Sequence, residues 1–139
     1  MFQRILVPVD LTEKSLAAVD VAFEMAKESR AGVDLLHVIE IVEHVTFDEM
    51  KVLYNRLESS ARKGLEEFSQ RFADEGLNVT CDVTYGHRTR GIIEFAINNN
   101  VDLIIMASHR IDPDRPGHDW STISYGVAVL SPCTVLLVK

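Results

Sequence analysis

Val101-Asp102-Leu103-Ile104-Ile105-Met106-Ala107-Ser108-His109-Arg110 decides how this chain is read. Its first six residues form a short apolar run that closes on small and polar side chains. That is the pattern of a strand buried on both faces of a parallel sheet. A polar loop leads on to Trp120 and Ser121-Thr122, and a short helical segment is predicted from about Thr122 to Leu130. A second apolar run, Thr134-Val135-Leu136-Leu137-Val138, follows Ser131-Pro132-Cys133. In open α/β sheets ligands sit beyond the carboxyl ends of strands, so the loop from Ala107 to Thr122 is the first place to expect a binding site.

Working back toward Met1, the same grammar repeats. Ile5-Leu6-Val7-Pro8-Val9-Asp10 reads as a strand, with Pro8 placed in its last turn because proline gives no N–H to a ladder. Thr12 is a candidate cap for a helix carrying Leu16, Val19, Phe23 and Ala26, with Gly32 as its stop. Val33 to Val38 forms the second strand. Thr46-Phe47-Asp48-Glu49 has the form of a capping box and predicts the start of a long helix through Met50, Leu53, Leu57, Ala61, Phe68 and Phe72. Gly64 is a candidate kink, and Gly76 the stop, with Leu77 packing back. Val79, Cys81 and Val83 alternate with polar residues, as in an edge strand. A turn at Tyr85-Gly86 leads to a helix containing Ile92, Ile93, Ala96 and Ile97, ended by Asn98-Asn99-Asn100.

The alternation is βαβαβαβαβ, which calls for a Rossmann-like, doubly wound α/β fold with a five-stranded parallel sheet and helices on both faces. Right-handed crossovers and the order 3-2-1-4-5 bring the first and fourth strands together at the switch point. A length of 139 residues suits a single domain spanning 1–139. The formal charge of −7 argues against nucleic acid and anionic membranes as partners. No apolar run approaches the ~20 residues that span a bilayer. Met1 leads straight into a strand, which reads as a chain without a signal peptide, and Cys81 and Cys133 read as two buried thiols. Both features fit a cytoplasmic protein.

Four segments in this order resemble the universal stress protein A family: Ile5 to Asp10, Leu35-Leu36-His37-Val38, Asp102 to His109, and Ser131 to Val138. The resemblance implies a stress-response homodimer, paired through the last strand, Thr134, Val135, Leu136, Leu137 and Val138. It also implies an adenine nucleotide, ATP or AMP with magnesium, as the possible ligand. Pro8, Val9 and Asp10 would then face Met106, Ala107, His109 and Arg110, with Val38 placed for the adenine. Ser121, Thr122 and Ile123 would open a helix whose N-terminus favours an anion. ATP-binding members carry Gly-x-x-Gly and, further on, Gly followed by Ser or Thr. Here Ala107, Arg110 and Ser121 stand at the glycine positions, which makes the cleft a degenerate one.

The same residues have plainer readings. Asp10 serves equally as a helix cap, and His37 as a hydrogen-bonded core residue. Asp112, Asp114 and His118 share a loop with Pro113, Pro116 and Gly117, the composition of a solvated turn more than of a cation site. Ser108-His109 has no third partner in the sequence, so no catalytic residues are assigned. The expected function is a regulatory or binding protein without dedicated catalysis. The alternatives are an ATP-binding member with slow hydrolysis or self-phosphorylation, and an interaction module whose cleft is filled by its own Arg110 or Trp120.

Overall fold

The computed structural model describes residues 1–109, 114 and 122–139. Its elements are β1 (Arg4–Pro8), α1 (Lys14–Ser29), β2 (Gly32–Glu40), α2 (Lys51–Asp74), β3 (Val79–Gly86), α3 (Arg88–Asn98), β4 (Leu103–Ala107), α4 (Ile123–Leu130) and β5 (Thr134–Val138). The strands form one parallel sheet in the order β3-β2-β1-β4-β5.

Side chains alternate across a strand, so a strand buried on both faces feeds two cores. Ile5 and Val7 of β1 join Val33 and Leu35 of β2 and Leu103 and Ile105 of β4 against α1 and α2. Leu6, Leu36, Val38, Ile104 and Met106 point the other way, onto Ile92 and Ala96 of α3 and Val127 of α4. Pro8 is tolerated in a central strand for a geometric reason. The Val9 N–H donates to Leu36 O at 2.8 Å. By alternation the nitrogen of Pro8 therefore faces β4, and the β1–β4 pairing runs only through Leu6 and Ile104. The proline thus stands where the β1–β4 ladder ends, and the β1–β2 ladder continues past it.

Several local expectations are corrected. Gly32 does not stop α1. Arg30 does, in the left-handed conformation at φ 59°, donating its N–H to Ala26 O at 2.8 Å, while Gly32 opens β2. The strand β2 extends through Glu40, beyond Val38. Half of the capping box forms, Glu49 N–H donating to Thr46 Oγ1 at 3.2 Å. It builds a turn that runs directly into the helix, with the Met50 N–H donating to Thr46 O at 3.3 Å and Phe47 stacked on Tyr54 at 5.1 Å, and α2 itself begins at Lys51. Leu16, Leu53, Leu57 and Ile97, expected inward, are exposed; Ser15, Ala18, Ala22 and Tyr54 take the buried positions. Each helix had more apolar residues than one face holds, and the sheet selects which stripe is covered. Gly64 does not kink α2. A Cβ there would lie 3.0 Å from Leu11 Cδ2, so the glycine admits a close neighbour.

The stop at Gly76 is as expected, with φ 69° and the Leu77 N–H donating to Phe72 O at 2.9 Å. Cys81 and Cys133 are free and half-buried, not fully buried. Burial pushes the Cys81 thiol above its ordinary value. Among the described residues no helix is long and apolar enough to cross a membrane.

Candidate functional site

Beyond Leu6 and Ile104 the paired strands β1 and β4 diverge, and a cleft of about 520 Å³ opens at their carboxyl ends. Its apolar lining includes Val9 from β1's end, Val38 from β2, Ile92 from α3 and Met106 from β4. The imidazole of His37 sits in the same lining, its Nδ1 2.8 Å from the carbonyl of Val9. A carbonyl only accepts, so Nδ1 carries the hydrogen and the neutral ring has its acceptor at Nε2.

Asp10 organises the loop from β1 to α1. Its Oδ1 accepts from Thr12 N at 2.9 Å, Thr12 Oγ1 at 2.6 Å and Ser15 Oγ at 2.8 Å. Ser15 Oγ accepts in turn from Asp10 N at 2.9 Å. Partial burial works to raise the carboxyl's pKa, but the bonds from Thr12 and Ser15 and the charge of Lys14 outweigh it and lower the value. Thr12 Oγ1 accepts from Lys14 N at 3.3 Å, yet α1 has no side-chain cap at its own N-cap residue, Glu13. Leu11 lies between these polar neighbours at φ 67°, a left-handed conformation rare for a branched side chain.

At the other end of the cleft, hydroxyls meet. Ser108 Oγ is 3.1 Å from Ser124 Oγ, which is 3.2 Å from Thr122 Oγ1. Thr122 caps α4 by accepting from Tyr125 N at 3.3 Å. Ser124 is buried although polar, which its two hydroxyl partners make affordable. Lys139 reaches the same corner, its Nζ 2.7 Å from Tyr125 Oη. That hydrogen bond is the main cause of the lowered pKa of Tyr125.

The structure brings Pro8, Val9, Asp10, Val38, Met106, Ala107, His109, Thr122 and Ile123 together around one cleft. Arg110 and Ser121 lie outside the described residues, as do Asp112, His118 and Trp120. Asp114 is an exposed turn residue. Sequence reading missed Lys14, Arg88 and Lys139 in the lining; His37, read as a hydrogen-bonded core residue, makes that bond to Val9 O and also borders the cleft. A signal existed for the cations: each follows a strand's carboxyl end or opens the next helix. Among the described residues no cluster of three or more His, Cys, Asp or Glu is arranged to hold a metal.

A switch-point cleft with an apolar lining and a hydroxyl-rich, cationic end, at the carboxyl ends of a five-stranded parallel sheet, places the chain in the Rossmann-like α/β class. Residues 1–139 match the model of the universal stress protein family along their whole length, and the chain belongs to that family. It is 28% identical over 153 residues to universal stress protein YxiE of Bacillus subtilis, with 100% of both chains covered. The solved structure of hypothetical protein MJ0577 superposes with a TM-score of 0.84 at 28% identity, covering 100% of this chain and 96% of that one. Two further solved structures share the fold. One is a universal stress protein in complex with cAMP (TM-score 0.75, 20% identity, 99% and 97% of the chains covered). The other is from Archaeoglobus fulgidus in complex with dAMP (0.72, 14%, 99% and 98%).

Proposed function

We propose that this protein is a small regulatory universal stress protein that binds an adenine nucleotide in the β1–β4 cleft and performs no dedicated catalysis. The observation that carries the reading is the charge of the cleft. Among its described lining residues three cations, Lys14, Arg88 and Lys139, stand against one carboxylate, Asp10, and with Glu40 beside Arg88 just outside the lining the cations still outnumber the carboxylates in a chain of net charge −7. Such a local reversal of sign favours an anionic ligand, and the apolar lining from Val9, Val38, Ile92 and Met106 suits a flat base. Complexes of two neighbours of the same fold with cAMP and dAMP support the same ligand class. Ala107, where ATP-binding members carry glycine, supports weak binding of a triphosphate, because backbone N–H groups approach phosphate less closely past a Cβ. Among the described residues no cluster of three or more His, Cys, Asp or Glu stands ready for a metal, so in this reading magnesium arrives on the nucleotide's own phosphates.

The proposal includes a single cytoplasmic domain that pairs as a homodimer through β5. Support comes from the exposure of Leu136 on this edge strand and of Val129 and Leu130 on neighbouring α4. Native mass spectrometry of the purified protein reads retained nucleotide and subunit count together. Calorimetric titration with AMP, cAMP and ATP, with and without Mg²⁺, is expected to give a dissociation constant below about 1 mM for at least one. No detectable binding of any of the three would overturn the nucleotide reading.

A further inference from the structure

The cations of the cleft are not equivalent. Lys14 lies near enough to Asp10 for its charge to strengthen that acid, and Arg88 Nε is 3.9 Å from Glu40 Oε1. Each has a carboxylate to answer it. Among the described residues the hydrogen-bond partners of Lys139 are instead neutral oxygens: Tyr125 Oη at 2.7 Å, Ser108 Oγ at 3.4 Å and the carbonyl of His109 at 3.4 Å.

The backbone imposes this placement. Ala107 of β4 pairs with Val138 of β5, and the Ser108 N–H donates to Val138 O at 2.8 Å. The ladder thus runs one step past β4 and sets Lys139 beside Ser108. Behind Ser108 stands the hydroxyl of buried Ser124, joined to that of Thr122. An ammonium offers three donors and no acceptor, and a hydroxyl can turn its O–H toward an incoming acceptor. A group made only of acceptors, and carrying negative charge, satisfies both. Exchange of the neutral phenol for such a group gains a charge-assisted bond. A neutral ring or sugar edge gains nothing comparable.

We infer that Lys139, with the Ser108 hydroxyl, takes the phosphate of the bound nucleotide and is the residue by which this cleft prefers a nucleotide to its bare nucleoside. The inference rests on the nucleotide reading above and adds to it which ligand atoms meet which corner.

The test compares AMP with adenosine by calorimetric titration on wild type, Lys139→Met and Lys139→Arg. Wild type is expected to bind AMP more tightly than adenosine. Lys139→Met is expected to weaken AMP about tenfold, the effect of one charge-assisted bond near the surface. Adenosine should stay within about twofold of wild type, and Lys139→Arg should keep most of the AMP affinity. Matching thermal midpoints of the variants would exclude a folding defect, and Lys139 is exposed enough for that to be expected. An equal loss for both ligands, or for neither, overturns the role of Lys139 and leaves nucleotide binding standing. Equal wild-type affinity for adenosine and AMP does the same. Failure of the wild type to bind either ligand overturns the nucleotide reading itself, and this inference with it.

Discussion

Gly64 and Gly91 are both helical glycines pressed against a neighbour, and the nature of that neighbour separates their behaviour. A Cβ at Gly64 meets the terminal Cδ2 of Leu11 at 3.0 Å, and at Gly91 it meets both Cγ atoms of Val38 at 3.3 Å. A leucine tip can turn aside, whereas a β-branched valine on a central strand has one favoured rotamer and must move with its backbone. Alanine gains about 1 kcal/mol of helix propensity at either place, and overpacking a core costs about 1–3 kcal/mol. Gly64→Ala is therefore expected to be near neutral. Gly91→Ala should lower the midpoint of urea unfolding, and should also weaken nucleotide binding by pressing Val38 toward the cleft. A Gly91→Ala variant as stable as wild type, with unchanged affinity, would show that Val38 gives way freely.

At the scale of an element, the β1–α1 loop is held by one carboxylate. Asp10 titrates below its ordinary value of about 3.9 in the folded protein. Its ionised form therefore adds stability that is fully present above the unfolded value and is lost as pH falls through the lower folded one. Asp10→Asn keeps an acceptor but loses the charge. It is expected to be less stable than wild type at neutral pH, with the gap closing below about pH 4. Denaturant melts at stepped pH check this, and a gap that persists unchanged to about pH 2 would count against it. The readable signs here were local. Gly76 as a helix stop and a short helix opening at about Thr122 depend on neighbours within a few residues, and both stand in the structure as expected. Thr46-Glu49 marked the approach to α2 but not its first residue, because the box closes one turn, in which Phe47 meets Tyr54 and Tyr85, before the regular helix begins at Lys51.

At the scale of the whole molecule, β5 is an edge with one exposed apolar side. Val135 and Leu137 pack into the core with α3 and α4, so charges placed there would damage the fold as well as any pairing. Leu136 lies on the other side and is 39% exposed. In the homodimer reading, Leu136→Lys is expected to give folded monomers by light scattering, with an unchanged far-ultraviolet spectrum, because a charge on an edge opposes pairing. Unaltered dimers would place the contact elsewhere. A wild type that is monomeric at micromolar concentration would dismiss the pairing altogether.

The alternation of apolar runs, the two-sided burial it demands and the order of elements were determined by the sequence alone, because both periodicity and turn chemistry act between near neighbours in the chain. The switch-point location of the cleft followed from that order. What only the tertiary structure decided are the meetings of distant residues. Arg4 Nε reaches Asp34 Oδ2 at 2.7 Å, and Thr80 bonds the same carboxylate from a third strand. Leu11 is seated on Gly64, and Lys139 is brought to Ser108 and Tyr125. None of these pairs has a sequence signature, since each depends on strand register and helix placement, and those are fixed only when all the apolar faces are buried at once.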